Sequence, residues 1–199
     1  MPTSDGFGQG DAAAELVEVV DVEGNVIAVV PRGRVRAENL RHRCTYVVVM
    51  AGPPLPPEPD LVTVTADTEI WVHQRADWKD VFPSAWDLAF GGLCDVGESW
   101  DAAARRELGE EAGIVGAELV QIGAAVHDDD RTSVVGRIYV TRWPDRPSCA
   151  DGEVIALRRI PLGDLEQWAV DRTVCTDSVA LVIPSIRRLV YSSGGLSVG

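Results

Sequence analysis

The spacing of apolar residues changes from segment to segment along this chain, and each change marks an element. β-Branched residues alternate on either side of the polar turn "DVEGN", which predicts a hairpin with arms over 17–20 and 26–30. A short helix is expected over 34–40. "CTYVVVM" (44–50) has no alternation at all, the pattern of a strand covered on both faces at the centre of a sheet. "AGPPLPPEPD" (51–60) holds too many prolines for regular structure and reads as a loop. "EIWVHQR" (69–75) alternates as a strand does. A helix is expected over 99–112, with Ser99 as its N-cap, Asp101 at the positive end of its dipole and Gly113 ending it. Two strands follow within 116–128 and 132–143, joined at "DDDR", then a third over 153–160. A short helix opens at Pro161, and a last one covers 176–190 with a kink expected at Pro184. Strands and helices are mixed without regular alternation, so the pattern predicts an α+β fold with a mixed sheet flanked by helices rather than a parallel βαβ array.

At 199 residues the chain is long enough for one domain with a sizeable core. That domain is expected over 15–191, including the hairpin at 15–31, between flexible segments at 1–14 and 192–199. The longest apolar runs are far too short for a bilayer, and no signal peptide is visible, so the reading is cytoplasmic with no membrane partner. Cys44, Cys94, Cys149 and Cys175 are widely spaced, which favours reduced thiols over a disulfide framework or zinc site. A net charge of −13 argues against a nucleic-acid duplex as partner. A small phosphate ester stays open, provided cations bridge the two anions.

One stretch breaks the rules of a solvated helix. "RRELGEEAG" (105–113) puts Glu107, Glu110 and Glu111 within five positions. At about 100° per residue, Glu111 falls roughly 40° and Glu110 roughly 60° from Glu107, so all three share one side of the helix. Like charges at these spacings repel. The basic neighbours lie only N-terminal to them, and a glycine loop, "GGLCDVGES", leads into the helix. Clustered carboxylates of this kind are stabilised by a divalent cation, and oxygen ligands favour Mg²⁺ or Mn²⁺. Such ions keep positions open for water and phosphate. Arg106, beside Glu107, is placed to hold an upstream carboxylate such as Glu98 through a bidentate pair.

Gly92, Glu98, Arg106-Glu107-Leu108, Glu110-Glu111 and Gly113-Ile114 have the spacing of the Nudix hydrolase box, which this chain resembles without departure. The resemblance implies an α/β/α sandwich around a mixed sheet and hydrolysis of a diphosphate bond in a small-molecule substrate, with Mg²⁺ or Mn²⁺. It implies Glu107 and Glu111 as main metal ligands, Glu110 as a further ligand or holder of a metal-bound water, and the Gly92 carbonyl as another ligand. Glu98 would pair with Arg106 and orient the helix.

Outside the box, "LRHRCTYVVVM", "VHQRADWKDVFPSAWDLAFGG" and "DGEVIALRRIPLGDLEQW" are similar to the Nudix branch nearest the isopentenyl-diphosphate isomerases. By that resemblance Arg75 and Lys79 match diphosphate-contacting residues, His42 a metal histidine, and Asp151 with Glu153 an acidic pair. The isomerases' catalytic cysteine and second histidine are replaced by Gly91 and Leu93, which removes the proton-transfer group and favours hydrolysis. A non-catalytic ligand sensor on the same fold is the third reading. Glu153, in a polar loop, is the candidate general base. Arg75 and Lys79 are candidate phosphate ligands, with surface charge as the plain alternative. His42 reads as a structural hydrogen-bonding residue, Trp86 and Trp100 as core, and the hairpin as either a recognition element or a homodimer surface.

Overall fold

Ten residues of β3 (His42–Ala51) lie parallel to β7 (Ser133–Trp143), paired from His42↔Val134 to Ala51↔Trp143. The structure is a computed structural model that describes residues 13–56, 64–150 and 152–193. The end of the proline-rich loop, Asp151 and nearly all of the two expected flexible termini lie outside those residues.

The expected hairpin forms from β1 (Leu16–Val20) and β2 (Val26–Pro31), antiparallel, and it joins the sheet through Val19↔His42. At the other end of the same edge of β3, β4 (Glu69–Arg75) pairs at Val49↔Trp71 and Met50↔Ile70. β4 then carries the two-residue β5 (Trp86–Asp87) and β8 (Val154–Pro161), while β6 (Val120–Asp128) closes the far side on β7. The sheet is therefore eight-stranded and mixed, with β3 at its centre.

The unbroken apolar run of β3 has two layers to cover it. Tyr46, Val48 and Met50 face α4 (Thr176–Ser193), where they meet Leu181, Val182 and Ile186. Val47 and Val49 face α2 (Trp100–Ala112), meeting Ala104, Leu108 and Ala112. This is the expected α/β/α arrangement.

Some elements differ from expectation. α1 (Arg32–Glu38) starts and ends two residues early, because Pro31 suits the start of a helix and Asn39 ends it in the left-handed region at φ 49°. The expected helix at 161–170 is a 3₁₀ turn (Leu162–Asp164) running into α3 (Leu165–Val170). α4 continues across Pro184 without ending there.

Candidate active site

The edge of β3 has an opening between the positions where β1 and β4 dock. Residues 90–94 fill it. Val47 N–H donates to the Phe90 carbonyl at 2.7 Å, Thr45 N–H to the Gly92 carbonyl at 2.9 Å, and Cys94 N–H to the Arg43 carbonyl at 3.0 Å. This pairing permits no side chain at residue 91: a Cβ there would lie 2.0 Å from the Thr45 carbonyl oxygen. The glycine loop is thus pinned to the central strand and delivered to the mouth of the sheet.

α2 arrives at the same place with both ends capped. Ser99 Oγ accepts the Ala102 N–H at 3.2 Å, and Gly113, at φ 66°, ends the helix with its N–H on the Gly109 carbonyl. With Ala104, Leu108 and Ala112 held against the sheet, Glu107 and Glu111 face the glycine loop. The Gly91 N–H donates to Glu111 Oε2 at 2.9 Å. The Glu107 carboxylate lies so close to Gly92 that a Cβ there would sit 2.7 Å from Oε1. Glu110 does not join them in the interior; its side chain is 59% exposed at the rim.

Arg106 organises the cluster. It grips Glu98 through two bonds, Nε to Oε1 at 3.1 Å and Nη2 to Oε2 at 2.9 Å, and donates to the Leu93 carbonyl at 2.9 Å. Its Nη1 reaches Glu107 at 2.8 Å and Glu110 at 3.1 Å. The charge-assisted bond from Arg106 holds the Glu98 carboxyl below its usual range. A second arginine ties in the hairpin: Arg43 pairs with buried Glu18 at 2.7 Å and donates to the Glu98 carbonyl at 2.8 Å, while Glu18 also takes the Gly97 N–H at 2.9 Å.

The electrostatics of the two inner glutamates differ from those of Glu98. Burial, and then the charge of Glu107, push Glu111 up to about 8. Burial raises Glu107 as well, despite Arg106 beside it. Two carboxylates that desolvate and repel each other in this way would be stabilised by a nearby positive charge.

Arg75 and Lys79 line the same cleft, which encloses about 270 Å³. Arg75 lies 3.6 Å from Asp87 and donates to the Val81 carbonyl at 3.3 Å. Lys79 is ion-paired with Glu153, so two residues singled out for separate roles are partners. His42 is buried, with Nδ1 2.9 Å from the Leu40 carbonyl; burial, joined by the charges of Arg36 and Arg32, lowers it to about 4. Trp86 packs edge-on to Trp168 beside the core, and the guanidiniums of Arg43 and Arg137 both lie over the Trp100 ring, 5.1 and 4.8 Å from its centroid.

Sequence reasoning passed over several cleft residues. Tyr46 donates to Asp177 at 2.8 Å in the floor, Asp87 stands beside Arg75, and Arg32 and Arg36 reach in from α1. They come from segments far apart in the chain, and none carries a local signal.

An α/β/α domain with a glutamate-bearing helix set against a glycine loop on the central strand is the class that this fold and site define. Residues 55–176 match the family model described as the NUDIX domain, and the chain belongs to that family. It is 34% identical over 128 residues to YfcD of Escherichia coli K12, named an uncharacterised Nudix hydrolase. A Streptomyces coelicolor protein of the same description is 36% identical over 105 residues, 53% of this chain and 50% of that one. The YfcD match covers 64% of this chain and 63% of the relative, so the chain spans just under two thirds of the length of that relative. Among solved structures, DR0079 from Deinococcus radiodurans superposes with a TM-score of 0.65 at 18% identity, covering 88% of this chain and 99% of that one. The NUDIX domain of Shewanella oneidensis NrtR, solved with ADP ribose, gives 0.53 at 16% identity, with coverage of 80% and 98%. A C. elegans Ap4A hydrolase binary complex gives 0.53 at 16%, with coverage of 77% and 98%. At these identities the structural likeness is one of fold.

Proposed function

We propose that this protein is a divalent-metal-dependent hydrolase of a diphosphate bond in a nucleoside diphosphate-linked or similar small molecule. The observation that carries this reading is the pair of buried Glu111 and half-buried Glu107, with their carboxyls raised and facing an open polar cleft. The donor set suits Mg²⁺ or Mn²⁺, because it is all oxygen. Glu107 Oε2 and Glu111 Oε1 have no hydrogen-bond partner among the described residues. As they stand, no three His, Cys, Asp or Glu side chains of the described residues enclose an ion. That fits a cation that completes its shell with water and substrate phosphate.

Glu107 and Glu111 would hold the metal, with Glu110 and the second lone pair of the Gly92 carbonyl as further ligands. Bound there, the ion would supply Lewis-acid stabilisation of charge on the diphosphate oxygens. Arg106 fixes the Glu107 carboxylate and, through Glu98, the angle at which α2 meets the loop. Arg75 and Lys79 neutralise substrate phosphate. Glu153, once Lys79 turns to the phosphate, takes the proton of the attacking water. Gly91 and Leu93 offer no acid or base for allylic proton transfer, so isomerisation is disfavoured. The structural neighbours solved with ADP ribose and as an Ap4A hydrolase make ADP ribose and dinucleoside polyphosphates suitable first compounds to test.

Nucleotide and sugar-phosphate products, resolved by anion-exchange chromatography across a panel of nucleoside diphosphate sugars, dinucleotides and nucleoside triphosphates with Mg²⁺ or Mn²⁺, test the reading. Turnover of at least one compound, lost in Glu111→Gln, is the expected result. Tight binding with no hydrolysis in either metal would identify a sensor, and dimethylallyl diphosphate formed from isopentenyl diphosphate would identify an isomerase.

A further inference from the structure

The cleft has an end that the reaction does not use. Arg32 and Arg36, one turn apart on α1, line it together with the carboxylates of α2. In a chain of net charge −13, two guanidiniums turned into the same cleft as the carboxylate cluster stand apart from the surrounding potential.

Each has an acidic partner: Arg32 has Glu15, which lines the same cleft, and Arg36 has Asp80, which does not. Arg32 Nη1 donates to Glu15 at 2.9 Å and Arg36 Nε to Asp80 at 3.1 Å. The glutamate and aspartate side chains are 40% and 51% exposed, against 25% and 24% for the two arginines. Solvent therefore screens both ion pairs in part. Each arginine uses one nitrogen on its partner. Among the described residues, Arg32 Nη2 and both Nη atoms of Arg36 have no further hydrogen-bond partner, and Arg32 Nε is buried with none. An arginine with unused donors in a polar cleft suits bidentate recognition of a phosphate or carboxylate.

We propose that Arg32 and Arg36 form a second anion subsite, and that the substrate carries a further phosphate or comparable dianionic group beyond its scissile diphosphate. The subsite takes its place in catalysis from the hydrolase reading above, but its binding can be measured without it. The scissile diphosphate would lie toward Glu107 and Glu111, and the far group between the two guanidiniums. Such a cleft favours polyphosphorylated compounds over those whose far end is a neutral sugar.

The test is calorimetric titration of inorganic tripolyphosphate into the full chain, stripped of metal on a chelating resin and kept free of soluble chelator. Without cations the box carboxylates repel the probe, so binding reports the basic side chains of the cleft, and the arginine variants separate Arg32 and Arg36 from Arg75 and Lys79. Saturable binding by the wild type is expected, weakened about tenfold or more in Arg36→Gln and in Arg32→Gln, and only partly restored by Arg36→Lys, which keeps charge but loses the fork. Arg36→Gln decides the matter, because its one ion pair is with a half-exposed aspartate and its loss leaves the fold intact. No saturable binding by the wild type, or unchanged affinity in Arg36→Gln, overturns the subsite. Glu111→Gln should bind the probe as well as the wild type or better. If the wild type hydrolyses no compound of the panel, the hydrolase reading fails while this titration stands.

Discussion

Lys79, on the loop after β4, is ion-paired with Glu153, just ahead of β8, and the pair closes one wall of the cleft. The two side chains hold each other in a position where either could meet substrate. Their contributions to turnover are therefore expected to be coupled. Lys79→Ala should lower kcat/KM by about tenfold or more, through loss of a charge-assisted contact to phosphate. Glu153→Gln should lower kcat. The double variant should be much less active than the wild type but well above the product of the two single effects, as for residues in contact. A double-mutant cycle in steady-state kinetics measures this; strict additivity would mean that the pair is only a surface ion pair.

Glu111→Gln should abolish turnover yet raise the melting temperature of the metal-free protein. Glu111 is raised to about 8 by burial and by Glu107, above its ordinary value near 4.5. A raised carboxyl favours the folded state fully below its unfolded pKa and loses that contribution as pH climbs through the folded one. Between those values the slope is about −1.4 kcal/mol per pH unit, so the wild type at pH 8 is expected to lose on the order of 4–5 kcal/mol that the amide variant keeps. Thermal melts at pH 6, 7 and 8 distinguish the two proteins.

His42 and His73 act with the opposite sign. Both are buried and lowered to about 4 by that burial, His73 being stacked on Phe90 with ring centroids 4.7 Å apart. Between about pH 4 and 6.5 the unfolded chain binds protons that the folded one refuses, so stability rises with pH there. Above that window only the raised carboxyls act, and stability falls. Metal-free protein should thus be most stable near pH 6.5, roughly where the two slopes exchange dominance. Mg²⁺ or Mn²⁺ should raise the melting temperature more at pH 8 than at pH 6, and a melt series with and without the cation checks both statements.

Adjacent glycines should respond differently to the same methyl group. In Gly92→Ala the new Cβ meets a side-chain carboxylate, that of Glu107, which can move; the fold should survive while kcat falls on the order of 100-fold, as for a misplaced group. In Gly91→Ala the Cβ meets the backbone of Thr45, so the loop must leave β3 at a cost of about 1–3 kcal/mol. Melting curves and kinetics on both variants separate displacement of a ligand from loss of the strand edge.

The elements whose causes are local could be read from the chain. α2 follows from Ser99, Asp101 and Gly113, all within the helix or one residue of it, and β3 from its unbroken apolar run. The Glu98–Arg106 pair followed from the arginine's place beside Glu107 and from family spacing. The missing information was tertiary. A helical wheel groups Glu110 with Glu107 and Glu111, but only the position of the sheet shows that Glu110 remains at the rim. Residues 84–90 carry no strand period, since β5 is two residues long and Phe90 meets β3 through an isolated bridge. Arg32 and Arg36 gave no signal, because their nearness to the box depends on where α1 docks after the hairpin.

The buried contacts of Glu18 bear on how the chain can be divided. The hairpin meets β3 through one residue pair, and Glu18 fastens it a second time, with one oxygen on Arg43 and the other on the Gly97 turn that leads into α2. The family match begins at residue 55. A fragment cut there would lack β3, the partner of the glycine loop, and would lose Glu18 and Arg43, leaving the Gly97 turn without its partner. The smallest autonomous unit is accordingly expected to begin ahead of Leu16, and a shortened chain starting at residue 55 should be recovered unfolded.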